Sequence, residues 1–411
     1  MSNTALRSVA LLFFAGFVAY AYNNAFMALS PLYVVELGGT MVDAGLQGSV
    51  FMVTAIALRF LFGPLADRHG AKPVMVFGLS AFAASGFLMA LCDQIWCFVV
   101  LRCVQSVGLA AFFPCATALV AVLVPEGKTG FCLGLYRFVS SASLLFGPSL
   151  AFALVGGGGF RWGFCFMGLF ALIAGFAVLG ISAKRSKSFE TTDAAGRAGL
   201  SPQRESNLRR DERSLVRILK ETVTRAPLLV GGVLGATFVA ALGYGLLFGF
   251  AAPYIAGVLP DINSGLYFTL MGVGGLAANP LAGWMSDRAP RMKILAVLFV
   301  SMGAGIVALG FLPWGCEVLF ASGLLVGFGY FGSMTTVLAI IAARISDELR
   351  SSVLSLQQNG IDLGIACASG GFGFVFSFVD DAVVVFAFQG ALTVLLGLGM
   401  LFMSHARCGK A

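Results

Sequence analysis

Charge is scarce in this chain. Only 11% of its 411 residues are Asp, Glu, Lys or Arg, against about 25% in a soluble domain. Histidine occurs twice, at His69 and His405. Alternation of the strand type is absent, which argues against a barrel. No Gly-Lys-Ser/Thr phosphate loop is present, so ATP is not the driver of any work done here. The nine cysteines (Cys92, Cys97, Cys103, Cys115, Cys132, Cys165, Cys316, Cys367 and Cys408) have no metal-ligand spacing, and most sit inside apolar runs. They read as packing residues rather than disulfides or metal ligands. No catalytic constellation emerges, so the chain is expected to be neither an enzyme nor a cofactor carrier.

Apolar sequence fills the space that charge leaves. Hydrophobic residues make up 59% of the chain and mean hydropathy is +0.93. No soluble core hides that much apolar surface, so the solvent is lipid. A membrane-spanning helix needs about 20 apolar residues, and such windows recur. Helices are expected near 9–30, 44–62, 74–91, 95–123, 130–155 and 162–182, then near 227–252, 264–285, 293–312, 317–343, 352–378 and 383–404. The predicted fold is all-α and membrane-integral, with twelve spans in two halves, 1–182 and 227–411. Between them, 183–226 holds eleven bases and six acids and reads as a polar linker. Leu215, Ile218, Leu219 and Val223 share one face near its end, consistent with a short surface helix that Ser214 could cap. The first apolar run lacks a small-residue cleavage site and carries Tyr20, Asn23 and Asn24, so a retained helix is expected.

The charges choose an orientation. With the loops around Asp67 and Asp287 placed in the cytoplasm, the opposite loops hold Glu36, Asp43, Asp93, Asp261, Glu317, Asp380 and Asp381 but one base, Arg161. The reverse topology would violate the positive-inside rule. Both termini are then cytoplasmic. The net charge of +7 reflects this orientation and not nucleic-acid binding, because the bases are spread over separate loops.

Two stretches break the apolar pattern in the same way. Gly63-Pro64-Leu65-Ala66-Asp67-Arg68-His69-Gly70-Ala71-Lys72 is matched 220 residues later by Gly283-Trp284-Met285-Ser286-Asp287-Arg288-Ala289-Pro290. Gly63 and Gly70 suit a close helix approach and a tight turn. Asp67 and Arg68 would meet the helix dipoles at the membrane surface. Further parallels join Gly108–Thr117 to Gly327–Thr336 and the 126–130 loop to 348–352, at offsets of 219 and 222.

The paired Gly-xxx-Asp-Arg loop resembles the signature of the major facilitator superfamily, Gly-xxx-Asp-Arg-x-Gly-Arg-Arg/Lys. The first copy matches at Gly63, Asp67, Arg68, Gly70 and Lys72, with Ala71 in place of a base. The second keeps Gly283, Asp287 and Arg288, with Pro290 in place of the second glycine. The resemblance implies twelve helices, a substrate site between the halves, and a conformational latch at these loops. Arg102-Cys103-Val104-Gln105-Ser106-Val107-Gly108 resembles the fourth-helix Arg-xx-Gln-Gly-x-Gly pattern of proton-coupled exporters, with Ser106 for the first glycine. Phe146-Gly147-Pro148 partly resembles the antiporter pattern of the fifth helix. The chain is thus similar to drug or metabolite:proton antiporters and arabinose-efflux-like permeases. A small-molecule substrate, protons and the bilayer are the implied partners, with a monomer in the plasma (inner) membrane.

Charges inside the spans narrow the candidates, since each costs about 2.5–3.5 kcal/mol on insertion scales. Arg59 is close enough to the cytoplasmic end to snorkel and could brace Asp67. Arg102 lies deeper, with Gln105 and Ser106 on its face to satisfy the guanidinium. Arg137 is open between a substrate contact and an interface ion pair. Asp362 is the one acid well inside a helix. Either it exchanges protons, or it is held ionised by Arg59 or Arg137. Substrate contacts are expected from Tyr20, Asn23, Asn24, Gln105, Tyr244 and Tyr330, with Thr237, Ser333, Thr335 and Thr336 nearby. With 39 phenylalanines, such a cavity suits a moderately hydrophobic substrate. Proton-driven export is the leading expectation. Import or facilitated passage of a small organic anion, clamped by Arg102 and Arg137, is the alternative, and a non-transporting receptor or enzyme a distant one.

Overall fold

The computed structural model describes residues 3–123, 129–182, 227–286, 288–344, 347–379 and 381–408. The linker, with the expected helix around Ser214, lies outside them, as does Asp287. In the first half, α1 is Asn3–Glu36, α2 Met41–His69, α3 Ala71–Met89 and α4 Ile95–Leu123. One helical stretch, Thr129–Leu179, breaks at Gly159 (φ 79°, ψ 173°) into α5 (129–158) and α6 (160–179). In the second half, α7 is Pro227–Val258, α8 Gly265–Ser286, α9 Arg291–Gly310, α10 Cys316–Arg344, α11 Asp347–Val375 and α12 Ala382–Cys408. The two sets of six match the expectation. Lipid cannot satisfy a free amide or carbonyl, so a helix, whose backbone bonds are all internal, is the form this sequence takes.

The helices overrun their expected ends in an instructive way. Pro31, Pro64 and Pro253 lie inside α1, α2 and α7. Most of the supposed loop at Gly63–Lys72 is the last turns of α2. The chain turns only at Gly70, with φ 89° and ψ 154°, a region essentially restricted to glycine. Likewise Gly156–Gly158 stay helical, and the expected turn contracts to Gly159. The start of α2 is closed by a capping box in which Thr40 and Asp43 satisfy each other's backbone amides.

Nine stretches among the described residues are long and apolar enough to cross a bilayer, one of them, Phe138–Leu179, long enough for two passes. The four tryptophans agree. Trp96, Trp162, Trp284 and Trp314 are all exposed and all lie near helix ends, where an indole meets the headgroup layer.

Within the first half, α1 packs on the α5–α6 stretch, and α3 on α4. In the second half, α8 packs on α10, α9 on α12 and α7 on α11. The halves meet mainly along α2 with α11 and α5 with α8, with a smaller contact of α1 with α7. The side at which α6 ends and α7 begins is called the linker side below, and the opposite face the far side.

Candidate functional site

Contacts between the halves are graded across the membrane. On the far side α2 and α11 touch backbone to backbone. A Cβ on Gly45 would run into the carbonyl oxygen of Ser369, and Ser49 Oγ donates to the Ala366 carbonyl at 2.7 Å. The α5–α8 contact is similar. Thr269 Oγ1 donates to the Leu145 carbonyl at 2.8 Å, Ser149 and Thr269 share a hydroxyl pair, and Asn263 Nδ2 reaches the Ser149 carbonyl.

Deeper in, two polar links span the halves. Arg59 on α2 is ion-paired with Asp362 on α11. Asn279 on α8 donates to Ser141 Oγ on α5 at 3.0 Å and accepts from Thr335 Oγ1 on α10 at 2.8 Å. Among the described residues no hydrogen bond joins the halves on the linker side of these two. The described hydrogen bonds between the halves are therefore confined to the far side and the middle of the membrane.

The predicted residues fall into separate groups. Arg102 is 1% exposed. One of its terminal nitrogens donates to Gln105, and its guanidinium lies 4.0 Å over the Phe51 ring. Gln105 Nε2 donates to Tyr22 Oη at 3.1 Å, and Tyr22 donates to the Phe82 carbonyl at 2.7 Å. This chain ties α4 to α1 and α3 within the first half. Ser106 does not serve Arg102's guanidinium. Its hydroxyl donates to Arg102's own carbonyl at 2.9 Å, a bond any helical serine has within reach. Nor does Arg59 snorkel. It turns inward to Asp362.

Of the expected substrate contacts, Asn24 is committed to Ser143 on α5, and Asn23 to Met27 Sδ. The Tyr20 ring lies tilted against Phe113, with centroids 4.4 Å apart. Tyr244 and Tyr330 stack nearly parallel at 4.1 Å, joining α7 to α10 inside the second half. Thr237 and Tyr244 lie on one helix. Thr237 is fully buried, with a hydroxyl that has no hydrogen-bond partner. Ser333 and Thr336 bond to carbonyls of their own helix. The side chains of Arg137 and Asp67 lie outside the described part of the structure.

At the first signature stretch, Gly63 has open space beside it. Arg68 is exposed. Lys72 Nζ donates to the carbonyls of Leu179 and Ile181, both at 2.8 Å. It thereby caps the orphan carbonyls at the end of α6. In the second stretch, Arg288 lies 4.3 Å over the Trp284 ring. Cysteines 92 and 115 are buried, Cys103, Cys132 and Cys165 half-buried, and Cys97, Cys316 and Cys367 exposed, with no disulfide between them.

Sequence reasoning passed over Gln47, Ser49, Ser141, Ser149, Thr269 and Asn279. The signal available for Gln47 and Asn279 was a lone amide inside an apolar helix, which lipid tolerates poorly without a partner.

Two six-helix halves that meet face to face across the membrane are the build of a transporter that alternates access. The sequence profile of the Major Facilitator Superfamily matches residues 12–259 and again 233–407. The chain belongs to that family and is a membrane transporter, not an enzyme. It is similar to the multidrug resistance protein MdtG of Citrobacter koseri, 26% identical over 371 residues, covering 87% of this chain and 85% of the relative. It is also similar to MdtG of Enterobacter lignolyticus, 27% identical over 399 residues, covering 92% and 90%. Among solved structures, a D-xylose-proton symporter superposes with a TM-score of 0.76 over 96% of both chains at 16% identity, a likeness of fold.

Proposed function

We propose that this chain exports small amphipathic compounds or metabolites in exchange for protons. It would act as a monomer in the plasma (inner) membrane, with both termini and the 183–226 linker in the cytoplasm. The MdtG relatives, named for multidrug resistance, favour export over import. In this orientation the side on which the described halves share no hydrogen bond would face the cytoplasm.

The observation that carries the coupling is the Arg59–Asp362 pair. It joins two halves that must rearrange in each cycle, and among the described residues Asp362 is the one buried carboxylate in the spans. Its affinity for a proton differs between arrangements in which Arg59 lies beside it and those in which it does not. That difference lets a proton gradient bias the conformational equilibrium. The stretch at Gly63, Asp67, Arg68, Gly70 and Lys72, with its counterpart at Gly283, Asp287 and Arg288, would latch the halves on the linker side when they close there.

Purified protein in proteoliposomes tests this. Under an imposed pH gradient, a panel of amphipathic dyes should accumulate against concentration. Equal rates with and without the gradient would refute proton coupling.

A further inference from the structure

Near the far-side contact, α1, α2 and α4 of the first half face α7 and α11 of the second across a narrow cavity. Gln47, Phe51 and Arg102 form one wall, and Phe248, Gly249 and Ser369 the other. As the halves sit here, the cavity has room for about one water molecule. Two buried polar atoms on its walls have no partner, Gln47 Oε1 and Arg102 Nε. Gln47 is 2% and Arg102 1% exposed.

The orientation of the Gln47 amide is fixed by its other half. Nε2 donates to the Ala44 carbonyl at 2.9 Å. Only the nitrogen can donate there, so the oxygen is the atom left over. Arg102 spends one terminal nitrogen on Gln105, and among the described residues no carboxylate lies in ion-pair range of it. A buried guanidinium without a counter-ion and a buried carbonyl without a donor are each costly. A water can satisfy both atoms but leaves the cation without a counter-charge.

We infer that Gln47 and Arg102 form a substrate subsite for a compound carrying an anionic acceptor beside an N–H or O–H donor on an apolar body. The acceptor meets Arg102 Nε, the donor meets Gln47 Oε1, and Phe51 and Phe248 hold the apolar part. The walls belong to different halves, so the cavity widens when the far side opens. The subsite thus belongs to the release side of the cycle. This assignment rests on the exporter reading and adds to it a class of cargo.

The test uses two aromatic probes on the full-length purified protein. Salicylate carries a carboxylate beside a hydroxyl, and benzoate lacks the hydroxyl. Binding by calorimetry should favour salicylate by about tenfold in the wild type. Gln47→Leu should bring salicylate down to the benzoate level and leave benzoate unchanged. Arg102→Gln should weaken both. Should Gln47→Leu fail to fold, Gly249→Leu fills the cavity from the other half and should weaken both probes equally. Equal binding of the two probes by the wild type, or a salicylate preference that survives Gln47→Leu, would overturn the subsite and leave only a bound water. Transport of tetraphenylphosphonium, which has neither donor nor anionic acceptor, is measured in parallel. Its pH-driven accumulation without a salicylate preference sinks the subsite alone. A Gln47-dependent preference without pH-driven transport sinks the exporter reading alone.

Discussion

Arg59 and Asp362 lie 303 residues apart in sequence and meet as an ion pair between the two halves, with 16% and 6% of their side-chain surfaces exposed. An ion stripped of its partner in such a place costs about 3–5 kcal/mol. Asp362→Asn should therefore lower folded yield by an amount near the bottom of that range, on the order of 3 kcal/mol, because Arg59 keeps some access to water. The double variant Arg59→Leu with Asp362→Asn should regain yield in detergent. Both should exchange substrate down its gradient and lose uphill transport. Wild-type uphill transport by either would remove Asp362 from coupling.

The far-side contact of α2 with α11 depends on the missing side chain of Gly45, which leaves space for Ser369 and Gly373. Gly45→Val should hold the halves apart there and favour the opposite opening. Spin labels at Val42 and Phe378, both exposed, in a background without native cysteines, should report a longer distance in the variant. An unchanged distance distribution would mean that the helices accommodate the methyl groups by another route.

Asn279 links Ser141 across the interface to Thr335. Asn279→Ala removes both bonds at a net cost of about 1 kcal/mol. Apparent KM for an amphipathic dye should change about fivefold, with protein abundance unaffected. A loss of abundance with unchanged KM would make the residue a purely structural tie.

At the two signature stretches, four substitutions should separate by readout. Asp67→Asn should impair transport far more than Asp287→Asn at normal abundance. Lys72→Met should instead lower thermal stability, because Lys72 holds the carbonyls that end α6. Gly70→Ala should cost about 1–3 kcal/mol through its backbone conformation alone. Melting temperatures in detergent, set beside dye efflux, distinguish these. Equal transport by Asp67→Asn and the wild type would remove the latch.

The architecture was legible because its signals are local. Twelve apolar windows, a repeated loop and a lopsided distribution of bases are all readable from adjacent residues. Helix ends were less so. Pro64 and Pro253 look like stops, yet in lipid a helix runs on through a proline until its last carbonyls reach water or a cap. Partners were least legible. Nothing near Arg59 or Asp362 says which of several buried charges each one meets, since the choice is made by how α2 packs on α11. Ser106 was misassigned to Arg102's guanidinium because its neighbours on the helix face were visible, while the carbonyl one turn back, always within a serine's reach, was not weighed. Gln47 stood out little as one amide near a helix start. Only burial on both walls of a cavity shows that its oxygen lacks a donor.

The glycine hinge between α5 and α6 has a consequence for how the protein is made. With the chain reversing at Gly159 alone, the pair has almost no hydrophilic connector between its two passes. Arg161 is the one charge at that bend, and it is held at the surface by Asp93 at 2.8 Å. The two segments are therefore expected to enter the membrane together as a hairpin rather than one after the other. A polar insertion of several residues at position 159 would turn a concerted entry into a sequential one, and would lengthen the dwell of this half in the insertion machinery.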